Sequence, residues 1–215
     1  MPIERLFAML ASPETGGPLS ALAGRQAPAW ARGQAPESIQ ALGGALGRAR
    51  RFAEAVPLLT RAAEQDPRPA AALLEWGMAL QGQGQYEQAE ALHRRALALE
   101  PRNSRAHLYL GSNLHMQGLY GKAEEVYLEA IGFDPGNAQL HVNLGGIYYL
   151  QKKSADAERA FRQALVLDPQ MGNAHYNLGV LLATQGRRQE ALAELEYLRA
   201  ARSGLAGQLA KFTGR

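Results

Sequence analysis

The feature that most constrains this chain is an internal period of 34 residues. Prolines recur at that step, each directly after an acidic residue, at Pro67, Pro101, Pro135 and Pro169. Glycines recur at the same step, at Gly43, Gly77, Gly111, Gly145 and Gly179. Alanines do so as well, at Ala55, Ala89, Ala123, Ala157 and Ala191. A fixed period of this length is typical of solenoids, in which one small unit is repeated and buries its apolar face against its neighbours.

Each period has the residues of two packed helices. Small residues at fixed positions let the helices approach closely, and leucine or aromatic residues at helical spacing fill the seam between them. Gly84, Gly118 and Gly186 suit the turn that ends the first helix. Arg50 and Lys152 stand at that place in the other two periods. The acid–proline pair ends the second helix.

These residues resemble the tetratricopeptide repeat, a helix–turn–helix unit with the pattern W-x2-L-G-x2-Y, then A-x3-F, then P. With the proline at repeat position 32, positions 7 and 8 read Leu42-Gly43, Trp76-Gly77, Leu110-Gly111, Leu144-Gly145 and Leu178-Gly179. The resemblance implies an all-α, right-handed superhelical α-solenoid of five tandem repeats. Their expected bounds are 36–69, 70–103, 104–137, 138–171 and 172–202.

The two ends of the chain depart from the repeat. Residues 203–215 are predicted to form a C-terminal capping helix, with Ser203 as its N-cap and an apolar side made of Leu205, Leu209 and Phe212. Residues 1–35 are rich in glycine, proline and alanine and are predicted to be a flexible arm. Within that arm, Ile3, Leu6, Phe7 and Leu10 would share one side of a short amphipathic turn. Packing on the first repeat and binding to a partner or groove are the alternatives for this segment.

Composition narrows the range of functions. The absence of cysteine excludes disulfides, thiolate metal sites and cysteine nucleophiles. A net charge of only +3 does not favour nucleic acid as a partner. No apolar run approaches the roughly 18–20 residues of a membrane-spanning helix. We therefore expect a soluble, cytoplasmic protein.

Three histidines, His107, His141 and His175, share repeat position 4. Equivalent points on neighbouring packed helices lie about 8–10 Å apart, whereas zinc binds nitrogen at about 2.1 Å, so the three cannot share one ion. We expect them to fill part of the seam between helices. No acid–base pair, nucleophile motif or phosphate loop emerges elsewhere, so the sequence predicts no enzyme activity, no metal and no cofactor.

The resemblance also implies a binding surface, because the first helix of each repeat lines an inner groove in such arrays. The groove residues expected here are Gln40, Glu75, Met78, Arg105, Tyr109, Ser112, His115, Gln139, Asn143, Tyr149, Asn173, Tyr176 and Asn177. Amide side chains donate and accept hydrogen bonds together, so they can hold a peptide backbone of any sequence. Tyrosines add contact area at little cost in ordering entropy.

Two known binding modes can be compared with this surface. The carboxylate clamp of chaperone-binding arrays is excluded, because its places hold Gln40, Gly44, Glu75, Arg105 and Tyr109, of which only Arg105 is basic. Asn143 and Asn177, both at position 6, are similar to the amide ladder in the repeat region of O-linked N-acetylglucosamine transferase. The catalytic domain of that enzyme has no room in this chain, so only its mode of recognition is implied.

The sequence therefore predicts a non-catalytic scaffold or adaptor that holds a peptide segment or helix of a partner protein in the groove. Two alternatives remain open. One is an assembly factor that binds itself, with the N-terminal arm docking into the groove of a neighbour. The other is a regulatory or recognition subunit of an enzyme complex.

Overall fold

The structure is a computed structural model of the chain and describes residues 35–214. The prediction of a flexible arm, with its apolar side made of Ile3, Leu6, Phe7 and Leu10, therefore falls almost entirely outside the described residues.

Residues 35–214 form eleven helices and no strand. The helices are α1 (Pro36–Arg48), α2 (Phe52–Gln65), α3 (Ala70–Gly82), α4 (Tyr86–Leu99), α5 (Ser104–Met116), α6 (Tyr120–Phe133), α7 (Ala138–Leu150), α8 (Ser154–Leu167), α9 (Gly172–Thr184), α10 (Arg188–Ala200) and α11 (Ala206–Thr213). In the first four pairs the first helix has 13 residues and the second has 14. The predicted all-α solenoid of tandem helix pairs is confirmed.

The chain divides into two compact units, with the boundary between Asn113 and Leu114 inside α5. The N-terminal unit holds α1 to α4 and most of α5, and the C-terminal unit holds the end of α5 and all later helices. Each unit has its own apolar core. In the N-terminal unit, Ile39, Leu42 and Leu59 belong to one buried cluster and Leu73 and Leu92 to a second.

The core of the C-terminal unit is built in the same way. Phe161, Leu178 and Leu181 belong to one buried cluster, and Leu195 and Leu198 belong to another. In both units, buried glycines on the first helix of a pair give the space that large side chains of the second helix occupy. The seam between paired helices therefore closes in the way that the repeated glycine and leucine positions predict.

The turns that end the first helices require a backbone with positive φ. Gly84 has φ of 78°, and Arg50 and Lys152, which replace glycine at that place, have φ of 59° and 63°. The left-handed region costs a side-chain-bearing residue roughly 1–2 kcal/mol relative to glycine. The fold therefore accepts local strain at these two residues in order to keep the repeat geometry.

The last helix begins later than the sequence predicts. Arg202, with φ of 51°, lies in the turn after α10, and α11 starts only at Ala206. Ser203 is thus not its N-cap, although its Oγ accepts a hydrogen bond from the backbone N–H of Leu205 at 3.2 Å. Leu209 is fully buried, whereas Phe212 remains 50% exposed. Of the three apolar residues expected on one side of this helix, Leu209 is the one that is fully buried.

Candidate protein-binding surface

The first helices of the N-terminal unit carry a small open cavity of about 150 Å³. Its lining combines two arginines, one carboxylate and apolar side chains, which come from α1, α2, α3 and α5. The side chains at the cavity are Arg48, Phe52, Glu75, Met78, Arg105 and Tyr109. Four of the predicted groove residues therefore meet at this cavity, because the first helices that carry them pack side by side. They are Glu75, Met78, Arg105 and Tyr109.

Glu75 has an unusual environment in this cavity. Its carboxylate lies against the backbone of α1, so that a Cβ atom on Gly44 would be only 2.5 Å from its Oε2. The side chain of Gln40 hydrogen bonds to this carboxylate, yet Oε2 itself is buried and has no partner among residues 35–214. Burial raises the pKa of the Glu75 carboxyl, and the nearby positive charges of Arg105 and Arg48 act in the opposite direction.

Arg48 and Arg105 at this cavity are exposed and form no ion pair within the described part of the chain. The guanidinium carbon of Arg105 lies 5.9 Å from the centre of the Tyr109 ring, which is a cation–π arrangement. Tyr109 is itself held by a tilted contact with His93, with ring centres 5.9 Å apart. The structure therefore places two guanidinium groups beside the same cavity, one of them over an aromatic ring.

Ser112, the remaining predicted residue of this unit, lies one helix turn further along α5. Its Oγ accepts a hydrogen bond from Nε2 of Gln81 on α3 at 3.3 Å. The hydroxyl thus links two neighbouring first helices.

The C-terminal unit carries a chain of hydrogen-bonded amides across α9, α7 and α6. Nδ2 of Asn173 donates to Oε1 of Gln139 at 3.4 Å, and Nε2 of Gln139 donates to Oδ1 of Asn143 at 2.8 Å. Nδ2 of Asn143 then donates to the hydroxyl of Tyr127 at 3.4 Å. All three donations run in the same direction. Each amide nitrogen has two N–H groups, so one donor on each side chain is left over.

Tyr127 anchors this amide chain. Its side chain is 2% exposed, and burial raises the pKa of its hydroxyl well above the ordinary value. A neutral hydroxyl fixed in the core accepts from Asn143 at one defined point. The orientation of the half-buried amides is therefore set from the core outward.

The other predicted groove residues of this unit lie outside the amide chain. Asn177 is half-buried and makes no side-chain hydrogen bond within residues 35–214, so it does not belong to the amide chain. Tyr176 packs against the cluster of Leu195, Leu198 and Leu209, and Tyr149 is 37% exposed.

The ring of His115, at the end of α5, lies 5.9 Å from that of Tyr120. Within the amide chain, Asn143 pairs with Gln139 because the two side chains lie four residues apart on one face of α7.

The position-4 histidines fasten the turns between repeats. Nε2 of His141 and Nε2 of His175 each lie 3.0 Å from the carbonyl oxygen of the proline six residues earlier. The other nitrogen of His175 lies 2.5 Å from Glu194, and its ring stacks on Tyr197 with centres 3.7 Å apart. His107 bonds the carbonyl of Asn103 instead. No group of three histidine or acidic side chains in residues 35–214 is arranged to hold a metal ion.

Three residues of these sites were not predicted from the sequence. Arg48 ends the first helix of the first repeat, so the assignment of first helices to the groove could have found it. Phe52 begins a second helix, and Tyr127 occupies a core position, where its hydroxyl has no sequence signature. Their roles depend on side-chain reach rather than on spacing.

Tandem helix pairs with half-buried polar residues on their first helices define a helical-repeat scaffold for protein interactions. A family model described as tetratricopeptide repeat matches residues 41–80, 74–138, 133–171 and 143–206. The chain belongs to the tetratricopeptide repeat family. Members of this family are typically non-catalytic scaffolds that bind protein partners.

Solved structures support the fold. A thermophilic tetratricopeptide repeat protein of Thermus thermophilus is 24% identical, with a TM-score of 0.72 over 83% of this chain and 98% of that one. Pseudomonas aeruginosa pilF is 27% identical, with a TM-score of 0.71 over 82% and 83%. Residues 41 to the end of MamA from Desulfovibrio magneticus RS-1 are 21% identical, with a TM-score of 0.61 over 82% and 95%.

No curated protein matches the chain significantly. As to membranes, none of the helices in residues 35–214 has the length and apolar character needed to cross one.

Proposed function

We propose that this protein is a non-catalytic scaffold that binds a peptide segment of a partner protein on the first-helix surface of its repeats. The observation that carries the proposal is the amide chain from Asn173 through Gln139 and Asn143 to Tyr127. It supports a site that holds the main chain of a peptide in an extended conformation.

The amide chain favours a peptide backbone as its ligand for a chemical reason. Its internal bonds use one N–H of each amide and leave the second N–H available to an acceptor. Backbone carbonyl groups are obligatory acceptors, which an extended segment presents at regular intervals. Because the internal bonds already fix the amides, little side-chain entropy is lost when the peptide binds.

Apolar contacts beside the amide chain add to the binding of the peptide. Tyr149 offers an exposed ring, and no atom lies within 4 Å of a Cβ placed on Gly146, so the adjoining surface is open. Polar contacts to the main chain would then supply affinity, and side-chain contacts along the helices would supply specificity.

The test uses the double variant Gln139→Ala with Asn173→Ala. A partner is captured from the native lysate with the full chain, and its dissociation constant is measured for both forms. Loss of two hydrogen bonds predicts about tenfold weaker binding. Because both side chains are only partly buried, the melting temperature should stay nearly unchanged.

The matched control is Gln163→Ala, which removes an exposed amide from α8 and should leave affinity unaltered. A photo-crosslinker placed at residue 139 and then at residue 163 gives a second readout. Equal affinity in the double variant, or crosslinking to the partner only from position 163, would contradict binding of the partner on the first-helix surface.

The two alternatives drawn from the sequence remain predictions. Light scattering of the chain with and without residues 1–35 tests the self-associating assembly factor, which requires a larger species only when those residues are present. A regulatory or recognition subunit of an enzyme would instead capture one catalytic protein at fixed stoichiometry.

A further inference from the structure

We infer that the cavity of the N-terminal unit recognises an acidic side chain, glutamate or aspartate, that has an apolar neighbour in the bound peptide. This inference rests on the proposed function and names the chemistry of its partner. It uses Arg48, Arg105, Glu75 and the apolar side chains beside them.

The charge of the cavity favours an anion. Two arginines of this unit have carboxylate partners: Arg51 has Glu54 at 2.7 Å and Arg94 has Glu90 at 2.9 Å. Arg48 and Arg105 have none within the described chain. Even with Glu75 ionised, two guanidinium groups and one carboxylate leave the cavity with a net positive charge.

Glu75 does not take the place of a ligand carboxylate. Its Oε2 is pressed against the α1 backbone at Gly44 and is closed to solvent, and Gln40 holds the same carboxylate. No ion pair joins Glu75 to Arg48 or Arg105, so the guanidinium donors of both arginines remain available at the cavity. A carboxylate that enters can accept paired N–H donors from a guanidinium, which is the geometry that arginine offers best.

The remaining walls suit an apolar neighbour. Met78 is 39% exposed, Phe52 and Tyr109 are partly buried, and no atom lies within 4 Å of a Cβ placed on Gly47. A volume of about 150 Å³ holds one side chain and is well below the roughly 300–1,000 Å³ of cofactor and drug-sized pockets. The occupant is therefore a side chain of a larger molecule.

Three blocked peptides of equal length test the inference: acetyl-Leu-Glu-Leu-amide, acetyl-Leu-Gln-Leu-amide and acetyl-Leu-Lys-Leu-amide. Blocked ends ensure that the only carboxylate is the side chain. Each is titrated to about 10 mM against the full ¹⁵N-labelled chain, a range that detects the weak affinity of a single pocket. The expected order of affinity is glutamate, then glutamine, then lysine, with shifts at the Nε–Hε signals of Arg48 and Arg105.

Charge variants then assign the effect to the cavity. Arg48→Gln and Arg105→Gln should each weaken binding of the glutamate peptide about three- to tenfold and reduce its dependence on salt. The control Arg95→Gln removes an exposed arginine from α4 and should leave it unchanged. Glu75→Gln should strengthen binding of the glutamate peptide, because it removes the one negative charge of the cavity.

Several outcomes would overturn the inference. They are equal binding of the three peptides, preference for lysine, no binding by any of them up to the highest concentration, or weakening of the glutamate peptide by Glu75→Gln. None of these outcomes depends on the amides of the C-terminal unit. A failure of the proposed function would instead appear as unaltered partner affinity in the Gln139 and Asn173 double variant, so the two failures are distinguishable.

Discussion

Gly145 on α7 packs so closely against Phe161 on α8 that a Cβ atom on this glycine would lie 2.6 Å from Cε1 of the ring. The ring is 2% exposed and is enclosed by the core of the C-terminal unit, so it has no room to move aside. We therefore expect Gly145→Ala to reduce the free energy of unfolding of this unit by about 1–3 kcal/mol. Hydrogen exchange of the α7 and α8 amides in the native protein measures this change unit by unit.

The adjacent glycine is the matched control. Gly146 lies on the same helix, and no atom comes within 4 Å of a Cβ placed there. Gly146→Ala should stabilise the unit by roughly 0.5–1 kcal/mol, because alanine favours the helix more than glycine does. If both variants changed stability in the same direction, the close packing of Gly145 on Phe161 would be contradicted.

The strained turn at Lys152 gives a prediction of opposite sign. Lys152 has φ of 63°, at the repeat position where Gly186 has φ of 76°. Lys152→Gly should therefore raise the free energy of unfolding of the C-terminal unit by about 1 kcal/mol. Lys152→Ala removes the same charge but keeps the Cβ atom, so it should give no such gain. A stabilisation shared by both variants would trace the effect to charge rather than to backbone conformation.

The helix pairs were predictable from sequence, because their information lies in spacing. A residue without a side chain is needed where the first helix of a pair approaches the second as closely as Gly145 approaches Phe161. The 34-residue step repeats glycine at that position along the chain. The late start of α11 was not predictable in this way. The chain makes an additional turn at Arg202, whose positive φ has no signature in the residue type.

The binding surfaces were predictable as helix faces but not as hydrogen-bond networks. The repeat register places Asn143 and Asn177 at equivalent positions, yet only Asn143 joins the amide chain. Which amide meets which depends on side-chain length and rotamer, as shown by the reach of Gln139 to Asn143 and of Asn173 to Gln139. The same holds for the cavity at Glu75, whose character depends on which of the nearby arginines lack partners.

The buried histidine on α4 makes the stability of the N-terminal unit depend on pH. His93 is 0% exposed, and burial lowers its pKa to about 4. In the unfolded chain its pKa returns to about 6.5, so as pH falls the unfolded chain binds the proton first. The free energy of unfolding should thus be greatest above about pH 6.5, and this histidine should lower it by about 2 kcal/mol between pH 7 and 5.

His93→Phe should remove that part of the acid sensitivity, because phenylalanine does not titrate. The equivalent position in the fourth repeat already holds Phe161 opposite a glycine, so the ring has a precedent in this fold. Urea unfolding in a Trp30→Phe background, followed by Trp76 fluorescence at the two pH values, gives the difference. An unchanged pH dependence in His93→Phe would show that the buried imidazole is not its source.

The predicted role of the last helix as a cap can be tested at two of its apolar residues. Leu209 is fully buried, and its Cδ2 would lie 2.5 Å from a Cβ on Gly179, whereas Phe212 is 50% exposed. Leu209→Ala should therefore lower the free energy of unfolding of the C-terminal unit by about 2–5 kcal/mol, and Phe212→Ala by less than about 1 kcal/mol. Hydrogen exchange of α9 and α10 should rise only in the first variant. Equal losses in the two variants would mean that α11 does not cover the end of the repeats through Leu209.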